Sequence, residues 1–322
     1  MIPAGFVQPA HSPSSISAEE LAIVRSVLFA SLFDYPLTLA QLRQTLIESS
    51  LTPSEIVLIY GRSESLQEMI EYREGFFFPR DRRDLVCERR RREAHSRIFL
   101  DRHRRLLSVI CALPYVEMVA LSGSVAHLNL DGAGDLDLFI VTRGRHVWSV
   151  TVAVVLIAKL LRRRQTTCAN FVLADSALAL DQQDLFSASQ IIHLKPLVGE
   201  TTYRRFVAAN PFVSRFYPNF RVTPVTSRLT VLRQVIRGAK RTVEFVLAVP
   251  SIAVEGLCRH AYRAYLTRRS STWDSPDQVR LEPDCLKLHT KSHRHSVLSR
   301  FDDAVHTLDA SELHLRARRL EP

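Results

Sequence analysis

The sequence predicts an α+β fold, a sheet with flanking helices that follows a small helical module and precedes a helical C-terminal region. Three observations carry this. Strand-length apolar runs recur at Val116 to Leu121, Asp135 to Val141 and Thr167 to Ala174, with Gly, Pro or Asp turn residues beside them. Between the second and third lies Val147 to Leu161, too long for a strand, which reads as a buried crossover helix. Outside this segment helical spacing and helix-start signals dominate. The 322 residues leave room for two or three domains, and an apolar fraction of 46% is that of a globular chain.

Residues 1–15, MIPAGFVQPAHSPSS, have neither a basic n-region nor an apolar h-region and read as a loose leader, not a signal peptide. Residues 16–79 form the first module. Ser17-Ala18-Glu19-Glu20 has capping-box form, and apolar residues at helical spacing follow until Pro36. Thr38 to Gln41 repeats the box and starts a second helix through Leu46. Thr52-Pro53-Ser54-Glu55 starts a third, with Pro53 where a missing N–H costs nothing. A helical segment from Ser65 to Glu71 leads into Tyr72-Arg73-Glu74-Gly75-Phe76-Phe77-Phe78, a tight hairpin. Three short helices and a hairpin wing resemble a winged helix-turn-helix. A DNA reader carries basic residues on its third helix, whereas Thr52 to Ile70 offers Arg62 alone against Glu55, Glu64 and Glu68. Protein packing or substrate orientation is therefore favoured over DNA reading.

Residues 80–220 make the core, opening on a basic lead-in helix that reaches Ala112. Arg80 to Arg105 holds eleven arginines against five acids and so supplies six of the chain's ten net positive charges. Guanidinium forks suit phosphates of a nucleic acid or triphosphate. The same segment also reads as a solvated helix face with pairs such as Glu88 to Arg92.

The chemistry concentrates in Val119 to Thr142, VALSGSVAHLNLDGAGDLDLFIVT. A strand's period of two places Asp135 and Asp137 on one face. Two neighbouring carboxylates repel, so one keeps a proton or a cation neutralises both; Mg²⁺ takes oxygen ligands and shares them with substrate phosphates. Gly123 lets backbone N–H groups approach a phosphate and Ser124 adds a hydroxyl. The alternative for the same residues is a surface hairpin with a solvated acidic strand.

Gly123-Ser124, ten residues, then Asp135-x-Asp137 framed by apolar residues resembles the signature of the nucleotidyltransferase superfamily related to DNA polymerase β. The resemblance implies a mixed sheet with flanking helices and Mg²⁺ (or Mn²⁺) on Asp135 and Asp137. It implies a nucleoside triphosphate gripped by Gly123 and Ser124, and transfer of its nucleotide to an acceptor hydroxyl. Such enzymes carry a third acid on the next strand. Here Asn170 stands inside that strand and Asp175 at its end, so Asp175 is the candidate third catalytic acid, set against an ordinary strand-end turn residue. Lys195, before Pro196, is a candidate triphosphate contact, set against a basic residue balancing a helix C-terminus. FDYPLT, IIHLKPL and AANPFVSRFYPNF resemble uncharacterised bacterial nucleotidyltransferase-domain proteins with an N-terminal winged-helix-like extension, over about Phe33 to Phe220.

Residues 221–322 read as a helical, basic C-terminal region, with helices over Ser227 to Leu247 and Ile252 to Thr267. His289, His293 and His295 cluster there, but no cysteine or acid completes a metal site, and an exposed basic tail is the simpler reading. The five scattered cysteines point to reduced thiols in a cytoplasm and away from zinc, and no apolar run reaches the roughly 20 residues a bilayer needs. The function expected is nucleotidyl transfer to a small molecule, a protein or a nucleic acid. The rival is a catalytically impaired nucleotide sensor or DNA-binding regulator, which Asn170 would permit.

Overall fold

The computed structural model describes residues 16–132, 134–222, 240, 244 and 248–319. The leader and most of the helix expected over Ser227 to Leu247 lie outside them. The chain divides into two compact units, Met1–Leu85 with Ser296–Pro322, and Val86–His295.

In the first unit α1 (Ala18–Ser31), α2 (Leu39–Gln44) and α3 (Pro53–Arg62) each begin at a reciprocal capping box, on Ser17 and Glu20, Thr38 and Gln41, and Thr52 and Glu55. Each box satisfies two orphan N–H groups locally, which is why short helices hold their starts. A fourth helix, α4 (Glu64–Met69), ends before the expected Glu71 because Ile70 already belongs to a strand. β1 (Leu37–Thr38), β2 (Ile70–Arg73) and β3 (Phe76–Pro79) form an antiparallel sheet in the order β1-β3-β2. Glu74 and Gly75, both at positive φ, make its hairpin turn. Ile23, Leu42, Ile56, Leu66 and Phe77 fill the core, and Phe301 of the C-terminal helix Arg294–Arg319 meets Phe29 edge-on at 5.1 Å.

The second unit is α+β around a mixed six-stranded sheet. It begins in the long helix α5 (Asp84–Ala112) and continues through β4 (Val116–Ser122), the single turn α6 (Gly123–Ala126), β5 (Leu136–Thr142), α7 (Val147–Leu160) and β6 (Thr167–Ala174). Then come α8 (Leu185–His193), β7 (Lys195–Val198), α9 (Glu200–Ala208), α10 (Phe212–Phe216), α11 (Ala248–Arg268), β8 (Val279–Leu281) and β9 (Cys285–Leu288). The sheet order is β7-β4-β5-β6-β9-β8. Only β5 and β6 run parallel, as their crossover through α7 requires, and the other neighbours are antiparallel. Leu121, Leu138, Ile140, Trp148 and Val172 belong to one core, which puts the α7 crossover against the sheet as the sequence led us to expect.

The expectation of an all-helical stretch beyond 221 needs correction. Val279–Leu281 and Cys285–Leu288 complete the sheet, joined by a turn at Glu282-Pro283-Asp284, so this hairpin belongs with the core and not with a basic tail. Glu255 from α11 caps α7, accepting from Trp148 N at 2.9 Å and Ser149 N at 2.8 Å, an acid at the positive end of a helix. Among the described residues no helix is long and apolar enough to cross a membrane.

Much of the arginine surplus is spent internally. Arg91 and Arg92 both bond the Glu88 carboxylate, holding its pKa down at about 2, and Arg97 pairs with Glu93. Arg89 is only 5% exposed.

Candidate functional site

The Gly-Ser turn and the acidic strand meet at one end of the sheet's centre. Ser122, the last residue of β4, is directly paired with Asp137 of β5. Gly123 follows at φ +62°, and a Cβ there would lie 2.5 Å from Asp137 Oδ2. Only glycine lets the turn close on that carboxylate. Gly134 lies close by, where a Cβ would meet the Leu130 side chain and stand 3.5 Å from Ser124 Oγ. The loop before the acidic strand is thus packed against the turn after β4. Ser124 is exposed on that turn.

Asp135 and Asp137 are both half-buried and near enough to interact. Burial, and then the Asp135 charge, push the Asp137 carboxyl up to about 7. Asn170 Nδ2 opposes them by donating to Asp137 Oδ1. Cys168 lies opposite Asp137 on β6, and burial followed by the two carboxylates drives its thiol up to about 11. The cysteine therefore stays protonated and unreactive. Buried and beside a second carboxylate, Asp137 holds its proton more tightly than an exposed aspartate does, and a divalent cation would supply compensating charge. Among the described residues no cluster of three or more His, Cys, Asp or Glu side chains comes together. A cation here would rest on Asp135, Asp137 and oxygens brought by a ligand, which fits Mg²⁺ better than a metal needing a full protein cage.

No protein-family model, curated protein or solved structure matches the chain.

Of the six expected site residues, five share this end of the sheet. Gly123, Ser124, Asp135 and Asp137 stand together, and Lys195 joins them on the neighbouring strand, paired with Leu121 two residues before the turn. Lys195 is exposed, and partial desolvation lowers its pKa. Beside it the imidazoles of His127 and His193 are packed at 4.1 Å, both held neutral by burial, His193 at about 4. His193 is thus a packed histidine.

Asp175 does not join the group. Because β5 and β6 run parallel over their full lengths, Asp175 emerges beside Thr142 at the opposite end, where its Oδ1 accepts from Gly144 N at 2.9 Å. Its role is to close a turn. The β6 residue that reaches Asp137 is Asn170. It gets there through a bulge, for Asp137 pairs with Cys168 but Phe139 with Phe171, so two steps on β5 match three on β6.

The sequence also gave no notice of a cavity of about 250 Å³ on the acidic face, roofed by α8. Its walls include Ser122 and Asn170, the residues flanking Asp137 on either side. Phe139, Phe171 and Lys287 form part of its floor. His289 lies at the same wall, held neutral by burial at about 4, while His293 and His295 are exposed, so the three histidines make no common site.

Proposed function

We propose that the chain is a Mg²⁺- or Mn²⁺-dependent nucleotidyltransferase of the DNA polymerase β-like kind, moving a nucleoside monophosphate from a triphosphate to an acceptor hydroxyl. The observation that carries this reading is the closure of Gly123 on Asp137 with Asp135 beside it. A phosphate-approaching turn and an uncompensated acidic pair share one place. Asp135 and Asp137 would hold the cation, whose part is to neutralise the phosphates as charge shifts. The Gly123 backbone, the Ser124 hydroxyl and, from the neighbouring strand, the Lys195 ammonium would hold the triphosphate. In the transfer, the acceptor oxygen bonds to the α-phosphorus and the bond to the bridging oxygen breaks. Pyrophosphate leaves with that electron pair. Asn170 has no basic oxygen to take the acceptor's proton, so the proton passes to solvent. Most of the rate enhancement then comes from positioning.

The first unit, with three capped helices and a hairpin, supports a winged-helix-like module. Its third and fourth helices together offer Arg62 alone against Glu55, Glu64 and Glu68, which favours docking or substrate orientation over DNA reading. The Asn170 bond to Asp137 favours one second reading, a nucleotide sensor that binds without turnover.

One experiment separates them. The purified chain is incubated with labelled nucleoside triphosphates, Mg²⁺ or Mn²⁺ and cell extract, beside the Asp135→Ala/Asp137→Ala variant. Transfer lost in the variant upholds the enzyme. Triphosphate binding with no transfer upholds the sensor. Salt-sensitive binding to duplex DNA that ignores both acids would overturn both.

A further inference from the structure

Four residues stand side by side across the sheet. Phe139 pairs with Phe171, Phe171 with Lys287, and Lys287 with Arg280, and all four line the cavity. Directly paired residues project to the same face, so this row is a floor with rings at one end and cations at the other. Asp137 stands two residues before Phe139, on the same face. From two strand spacings and two residues of rise, Asp137 and Lys287 lie roughly 12 Å apart at their α-carbons.

Lys287 is 9% exposed. Its ammonium donates to Gln182 Oε1 at 2.7 Å and Gln278 Oε1 at 3.0 Å, and sits 5.9 Å from the Phe171 ring centroid. Both acceptors are neutral amides, and among the described residues no carboxylate pairs with this cation. The other two cations of the wall are already neutralised, Arg280 by Asp181 and Arg294 by Asp184. Asp184 acts on this ammonium only through its charge and is itself bonded to Arg294, and a buried ammonium held by neutral amides is costly.

We propose that this cavity binds a small organic acid with a flat apolar body. Its carboxylate is held by Lys287, the body lies on Phe139 and Phe171, and its far end stands beside Asn170 and Asp137. Glu282 and Asp284 also line the wall, at the turn between β8 and β9, and neither bonds Lys287, so the cation open to a ligand is a single one and suits a monoanion. The volume suits a single small molecule. The further statement that a hydroxyl at the far end is the nucleotidyl acceptor rests on the transferase reading. The binding does not.

The test uses the full chain without metal or nucleotide. A series of small aromatic and aliphatic acids, led by para-hydroxyphenylacetate, is titrated by calorimetry beside the matching primary amides. The best acid should bind about ten-fold more tightly than its amide. Lys287→Arg should keep that preference and Lys287→Met should abolish it. Acids and amides binding alike, no acid binding at all, or unchanged acid affinity in a folded Lys287→Met variant would each overturn the proposal. Should Lys287→Met fail to fold, the acid-to-amide ratio of the wild type decides. Acid binding in a chain that transfers no nucleotide sinks the transferase reading alone; transfer to an acceptor with no acid preference sinks this one alone.

Discussion

The pH dependence of stability tests the acidic pair most directly, through Asp137→Asn. A carboxyl raised to about 7 in the folded chain and near 3.8 when exposed binds a proton in the folded state that the unfolded state has released. Stability is therefore greatest at low pH and falls as pH rises from about 4 to about 7, the reverse of a salt-bridged aspartate. The full shift has a ceiling of about 4 kcal/mol, and the partial solvent exposure of Asp137 makes about 2 kcal/mol the reasonable expectation. Asparagine keeps the shape and has no charge to bury. By thermal melting, the variant should match the wild type near pH 4 and exceed it by roughly 4–8 °C near pH 8. At the higher pH Mg²⁺ or Mn²⁺ should close that gap by stabilising the wild type and leaving the variant unmoved. A difference that stays flat from low to high pH, or a variant weaker at high pH, would refute the uncompensated pair.

Gly123→Ala adds a Cβ 2.5 Å from Asp137 Oδ2 at a left-handed position, so it should lose nucleotidyl transfer and about 2 kcal/mol of stability, measured by labelled-nucleotide assay and denaturant melts; retained transfer counts against the turn. Asn170→Asp puts a third carboxylate against Asp137 and should lower metal-free stability by about 1–3 kcal/mol, while cation-dependent stabilisation and transfer both rise. A metal-free chain more stable than the wild type would contradict that. Glu255→Ala uncaps α7 and should cost about 1–2 kcal/mol in urea unfolding, with an unchanged midpoint as the adverse result.

What the sequence made legible was local or matched a short signature. The capping boxes at Ser17, Thr38 and Thr52 can be read because partner and cap are three residues apart. The Gly-Ser turn and the acid-x-acid strand are likewise contiguous, and β4 and β5 bring them together by direct pairing. The β8–β9 hairpin was missed although Val279-x-Leu281 and the Glu282-Pro283-Asp284 turn signal it, because strands this short carry little periodicity and their sheet partner Phe171 lies far upstream. Lys287 and Glu255 acquire meaning only through residues about a hundred positions away, which no window along the chain contains. Asp175 does stand at the strand's end, as the sequence reads, but that end is the one far from the acidic pair. The strand runs its full eight residues, which carries the acid past the site.

The bulge in β6 links the acidic pair to the cavity. In a regular strand neighbouring residues face opposite ways, so Asn170 and Phe171 could not both address the acidic face. The extra residue between the Asp137 and Phe139 pairings removes that restriction. Asn170 reaches the Asp137 carboxylate, and Phe171 on the same face meets Phe139 at 5.1 Å. The group that tunes the acid and the ring that floors the cavity are therefore consecutive residues, and a ligand bearing on Phe171 bears also on Asn170.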